Sequence, residues 1–196
     1  MTEDGHSADI INNVSGLEYS PYSTDLKGDF EMDYRVTLSS FPTAYEEMIT
    51  LPEASLTNPE AVVALTVAAL LAYDKSPEEC YKMMDFLRGP RPLSPFEKQF
   101  LRERMSGGRT YIARSYLEGA IPDNDYTPSI PYTVKTSDSF SQIADPGYKK
   151  YDVYSGGADT PRPVTLRNKP STGQWFLWEQ ILIVDIRVKK SEDPWA

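Results

Sequence analysis

The chain predicts an α+β protein: three or four helices packed on a five- to six-stranded antiparallel sheet or a small, partly closed barrel. Two observations carry that prediction. Three proline-led helix starts recur 18 residues apart in the middle of the 196-residue chain. From residue 109 onward, short apolar runs alternate with turns bearing Pro-Gly, Gly-Gly or Thr-Gly, the pattern of an antiparallel meander. The expected organisation is an acidic arm over residues 1–30 and a single domain over 31–196. Residues 31–108 form its mainly helical half and 109–196 its mainly β half.

The arm is polar and rich in Gly, Ser, Asp and Asn, without periodicity. It reads as flexible, pinned at Tyr19, Tyr22 or Phe30. In DYRVTLSSFP, Tyr34, Val36 and Leu38 alternate with Arg35, Thr37 and Ser39, which predicts a short strand closed by Pro42. TAYEEMITLP predicts a short helix ending before Pro52.

Asn58-Pro59-Glu60, Ser76-Pro77-Glu78-Glu79 and Ser94-Pro95-Phe96-Glu97 each set a capping side chain before a proline at the first helical position. There the missing N–H is no loss and φ is already helical. The last two place Glu three residues after Ser, the capping-box spacing. Gly89 and Gly107 stand where the second and third helices stop. The first helix, EAVVALTVAALLAY, is apolar on nearly every face, so it is expected to be surrounded by protein. A partner's groove is the alternative cover. The even spacing also suggests a two-helix repeat, but the residues of such a signature are absent.

TYIARSYLEGAIP fits a last helix or an extended segment, and Tyr, Ile and Thr tilt it to extended. PYTVKT, YKKYDVYS, RPVTLRN, QWFLWEQ and ILIVDIRVKK are the remaining strands. The last reads as a central one, with Leu182, Val184, Ile186 and Val188 on one face and Ile181, Ile183, Asp185 and Arg187 on the other. KPSTGQW reads as a hairpin loop.

Composition excludes several chemistries. The net charge of -9 opposes general affinity for nucleic acid or anionic membranes. That charge is uneven. Residues 1–60 carry twelve Asp/Glu against Lys27 and Arg35, whereas 88–114 carry seven Arg/Lys against Glu97 and Glu103. An acidic front facing a basic middle is the simplest reading. A lone Cys80 and a lone His6 leave no intramolecular disulfide and no multi-ligand Cys/His metal site. With His6 in the arm, a Ser-His-Asp or Cys-His arrangement finds no support. The apolar run Ala61–Ala72 falls short of the about 20 residues a bilayer requires, and MTEDGHSADI lacks the basic and apolar regions of a signal peptide. A cytoplasmic protein without cofactor, metal or catalytic group is expected.

SGGADTPRPVTLR resembles a phosphate cradle at first sight. A P-loop needs glycines four residues apart, then Lys and Ser/Thr opening a helix. Here Gly156 and Gly157 are adjacent and Pro161 and Pro163 lead into a strand. The stretch reads as a hairpin connection, its Gly pair supplying positive φ and Asp159 capping the turn. Arg162 and Arg167 then face opposite sides of a strand, and Arg167 is placed to stack on Trp175 across the hairpin. Arg91, within a rigid Gly-Pro-Arg-Pro corner, heads a basic cluster suited to an acidic peptide or a phosphate. Asp185, if buried, needs Arg167 or Arg187 as partner. Trp195, in SEDPWA, either docks over a sheet edge or serves as bait for another protein.

LTNPEAVVALTVAALLAY, FLRGPRPLSPFEKQFLRERM, GGADTPRPVTLR, WFLWEQ and SEDPWA together resemble a bacterial domain family of unknown function found in Firmicutes, over about residues 31–196. The resemblance implies a bacterial, cytoplasmic protein and assigns no residue a role. The function expected from the residues is a non-catalytic module that binds another protein. It would do so through the arginine- and aromatic-rich surface of the sheet or through the 88–92 corner, with Arg91, Arg162, Arg167, Trp175 and Trp195 as candidate contacts. The alternative is a small-molecule or enzymatic pocket between helices and sheet, with Tyr116 or Asp185 as its polar group.

Overall fold

The computed structural model describes residues 17–18, 33–38 and 40–195. The arm expected over residues 1–30 lies outside them apart from Leu17–Glu18, as do the anchors expected at Tyr19, Tyr22 and Phe30. Six antiparallel strands follow one another across one open sheet: β1 (Leu17–Glu18), β2 (Asp33–Thr37), β3 (Thr133–Asp138), β4 (Tyr148–Val153), β5 (Arg162–Lys169) and β6 (Gln174–Gln180). The sheet does not close into a barrel. All the α-helices among the described residues lie between β2 and β3: α1 (Tyr45–Met48), α2 (Pro59–Leu71), α3 (Pro77–Arg88), α4 (Pro95–Met105) and α5 (Tyr111–Arg114). The class is α+β.

The three proline-led starts are α2, α3 and α4, each capped by the expected side chain. Asn58 accepts from Ala61 N–H, Ser76 from Glu79 N–H and Ser94 from Glu97 N–H. Only Ser94 and Glu97 complete the reciprocal box. At the start of α3 the Glu79 carboxylate is diverted to the backbone N–H of Tyr45 at 2.8 Å and to Lys82 at 2.7 Å. That carboxylate thereby ties α1 to α3.

Helix α2 is the centre of the fold. Ala61 through Leu70 are all buried, and the helix touches α3, α5 and strands β2, β3 and β6. An apolar helix with no polar stripe satisfies itself only in such a position; the fold itself, not a partner's groove, covers it.

Two segments depart from expectation. TYIARSYLEGAIP holds α5 and then a single bridge from Leu117 to Val134, not a strand. Thr110 accepts from Ala113 and Arg114 N–H, and Tyr111 from Ser115 N–H, so local bonds win over β propensity. ILIVDIRVKK is no strand either. No strand is formed after Gln180 among the described residues, and Asp185 breaks the extended backbone with φ 54°. The carbonyls of Val184 and Asp185 bond Arg162 side-chain nitrogens instead of a neighbouring strand.

Among the described residues the basic stretch 88–114 does not pair with the acidic front. Its ion pairs stay within the helical stretch between β2 and β3: Arg88 with Glu97, Lys98 with Asp85 and Arg114 with Asp74.

Cys80 is buried in α3, and burial, with Asp85 nearby, pushes its thiol up to about 12. The native protein is expected to resist a thiol-specific reagent such as DTNB at pH 8 and to react fully once unfolded. Only the unfolded thiol ionises between about pH 8.5 and 12. Stability is therefore expected to be complete below that window and to fall as pH rises through it. Rapid labelling of the folded chain contradicts the packing of α3.

Candidate functional site

A cleft of about 390 Å³ opens where the turn after α3 meets the β5–β6 hairpin. Arg88, Arg91, Arg167, Lys169, Phe176 and Trp178 supply most of its wall. No Asp or Glu lines it, on a chain whose net charge is -9.

Three local features build it. The β5–β6 hairpin turns through Pro170–Gly173, so Lys169 faces Gln174 and Arg167 faces Phe176. Trp178 then lies diagonally from Arg167 on the same face, within reach of a long side chain. The Arg167 guanidinium sits 4.8 Å from the Trp178 ring centre and 5.4 Å from that of Tyr148. From the helical side, Gly89 ends α3 with φ 59°, and a side chain there would strike the Phe176 ring at 2.5 Å. That close approach carries the Gly-Pro-Arg-Pro corner onto the sheet. Arg91 lies over Trp178, 3.9 Å from the ring centre, and donates to the Trp178 carbonyl. Trp175 N–H donates to Leu56 O at 2.7 Å, so the outer edge of β6 is partly closed by the helical half.

Electrostatically the cleft is set from behind. Arg88 is buried, bonds the Arg91 carbonyl at 3.0 Å and pairs with Glu97 at 2.8 Å. Burial pulls its guanidinium below the ordinary value, and Glu97 opposes that pull. Arg91 Nε is buried without a hydrogen-bond partner among the described residues, an unmatched donor of the kind that costs about 1–3 kcal/mol. Arg167 is exposed. One guanidinium is therefore braced, one half-fixed on an indole and one exposed beside two ring faces. Stacking leaves guanidinium N–H edges open to a planar oxyanion.

The remaining sequence-derived candidates scatter. Arg162 braces the C-terminal segment through the carbonyls of Val184 and Asp185. Trp175 is not the partner of Arg167: its register mate is Asn168, and Lys149 lies 5.4 Å from its ring. Asp185 is exposed, and Arg187 pairs with Asp159, so the expected buried ion pair does not form. Tyr116 is buried with its hydroxyl donating to Leu182 O at 2.7 Å, and burial pushes its phenol up. It borders a second crevice of about 200 Å³ beside Ser115, Lys135 and Ser155. Trp195 covers no edge: it is 93% exposed. Phe176 and Trp178 escaped the sequence reading. Counting back through the loop from Gly173 pairs Arg167 with Phe176 and so puts Trp178, not Trp175, on its face.

Among the described residues no group of three or more His, Cys, Asp or Glu is placed to hold a metal, and no helix is long and apolar enough to cross a membrane. Fold and cleft together define an α+β domain with a cationic, aromatic recess beside an edge strand. Residues 40–190 match the family described as Domain of unknown function (DUF6935), and the chain belongs to that family. No curated protein and no solved structure matches it.

Proposed function

We propose that the chain is a non-catalytic protein-interaction module that takes an acidic segment of its partner into the Arg91–Arg167–Trp178 cleft. One observation carries the reading: two guanidinium groups converge on one indole in a recess without a lining carboxylate, on a protein that is acidic as a whole. Arg and Trp are the side chains that most often dominate binding energy at interfaces. Local positive potential on an acidic body also orients a partner as it approaches. The motif resemblance supports a bacterial, cytoplasmic setting for this module.

The test is titration of the purified chain with an Asp/Glu-rich peptide, followed by tryptophan fluorescence and calorimetry, with a Lys-rich peptide of equal length as control. Binding of the acidic peptide alone is expected, weakening as salt rises from about 50 to 500 mM, because the Debye length falls below about 5 Å. Equal binding of both peptides, or of neither, contradicts the reading. Inorganic phosphate or citrate binding as tightly as the peptide would transfer the cleft to a small-molecule role.

A further inference from the structure

The segment Ser191–Trp195 has the chemistry that the cleft lacks. It offers two carboxylates, Asp193 and Glu192, the latter exchanging its exposed pairing with Lys189 at 2.9 Å on docking, and an indole that is 93% exposed. It is also held in shape. Lys190 pairs with Asp123 at 2.9 Å, and Ser191 bonds Asp125 through both its N–H and its hydroxyl, the latter at 2.9 Å. Trp195 N–H then donates to Asp193 Oδ1 at 2.9 Å across Pro194. These bonds turn the indole away from the body. An aromatic of this size buries about 150–250 Å² when it docks, and a segment already ordered loses less freedom on binding.

In the same molecule the segment does not fill the cleft: Trp195 is 93% exposed and none of residues 191–195 lines it. Arg187 N–H bonds Gly157 O and the Arg187 carbonyl accepts from Tyr126. Gly157 precedes β5, so the segment is tethered near the end of that strand where Arg162 sits. Arg167 and Lys169 stand toward the other end of β5.

We propose that the occupant of the cleft is the acidic, tryptophan-bearing segment Ser191–Trp195 of a second copy of this chain. Glu192 and Asp193 face Arg91, Arg167 and Lys169, and the Trp195 indole enters against Phe176 and Trp178. This rests on the reading of the cleft as an acceptor of acidic segments. Because segment and cleft are different surfaces, the junction is head-to-tail.

Sedimentation velocity on the full chain, with Arg167→Glu and Trp195→Ala variants, tests it. Self-association of the wild type is expected, with its apparent Kd rising at least tenfold between about 50 and 500 mM salt. Each variant alone is expected to be monomeric. Their mixture is expected to stop at a one-to-one dimer, since it holds one intact segment and one intact cleft. A wild type that stays monomeric at every concentration and salt, or variants that associate as it does, overturns the proposal. Titrating Trp195→Ala with an acetylated, amidated peptide of residues 191–195, and separately with the unrelated Asp/Glu-rich peptide, separates the two readings. Binding of the 191–195 peptide supports the proposal. Binding of only the unrelated peptide overturns it and leaves the cleft an acidic-segment acceptor. Binding of neither overturns both.

Discussion

Replacing Gly156 by alanine is expected to destabilise the protein by about 3 kcal/mol or more, as overpacking against a fixed backbone does. The new Cβ would stand 2.0 Å from the Ala120 carbonyl oxygen, and Gly156 N–H already bonds Ser115 O at 2.8 Å. Neither side can yield without moving the β4–β5 connection or the segment after α5. Its neighbour Gly157 is as crowded: a Cβ there would meet the Tyr126 hydroxyl at 2.2 Å and Ile186 at 2.7 Å. Neither glycine has positive φ. The Gly pair exists for close approach and not for turn geometry, which corrects the expectation from the sequence. Urea denaturation checks this. Gly156→Asn should be at least as damaging as Gly156→Ala. At Gly173, where φ is 69° and a Cβ meets open space, Asn should be tolerated better than Ala, because Asn accepts the left-handed region. A Gly156→Ala protein within about 0.5 kcal/mol of the parent contradicts the packing described.

Changing Arg167 to Glu is expected to weaken binding of an acidic segment by at least tenfold and by as much as a hundredfold. It removes one charge-assisted partner and places a like charge beside the ligand, and each factor of ten corresponds to about 1.4 kcal/mol. Folding stability should change by less than about 0.5 kcal/mol, because Arg167 is exposed and its contacts to Trp178 and Tyr148 are ring faces rather than hydrogen bonds. Arg91 is the less clean probe. It bonds the backbone of the edge strand β6, so Arg91→Ala is expected to lower stability along with affinity. Parallel calorimetry and urea melts separate the two. An Arg167→Glu protein that binds as the parent does removes the cleft from the account.

What the sequence made legible was local. The three Pro-led starts needed only a capping side chain and a fixed φ, and all three are helices. The burial of α2 followed from its having no polar face. The hairpin connections stood where Gly-Gly and Thr-Gly predicted them, but Gly156 and Gly157 lack positive φ and Asp159 pairs with Arg187 rather than capping the turn. What failed had two causes, one distant and one local. ILIVDIRVKK has the alternation of a strand, but Arg162 and Gly157 take its backbone groups before any strand can. At TYIARSYLEGAIP the β-favouring side chains lost to a turn of helix held by its own backbone. The cleft was half visible. Arg91 and Arg167 stood out by type, whereas their shared shelf, Trp178, depends on a register that one residue of slippage would have moved to the opposite face.

The most direct test of the cleft as the binding site is the nitrogen–proton NMR spectrum of the full chain, recorded with and without saturating Asp/Glu-rich peptide. The Nε–H signals of Arg91 and Arg167 and the indole N–H of Trp178 are predicted to shift most, with the signals bordering the Ser115–Ser155 crevice unmoved. Saturable shifts confined to that crevice, or to any surface that excludes these three side chains, would contradict the account.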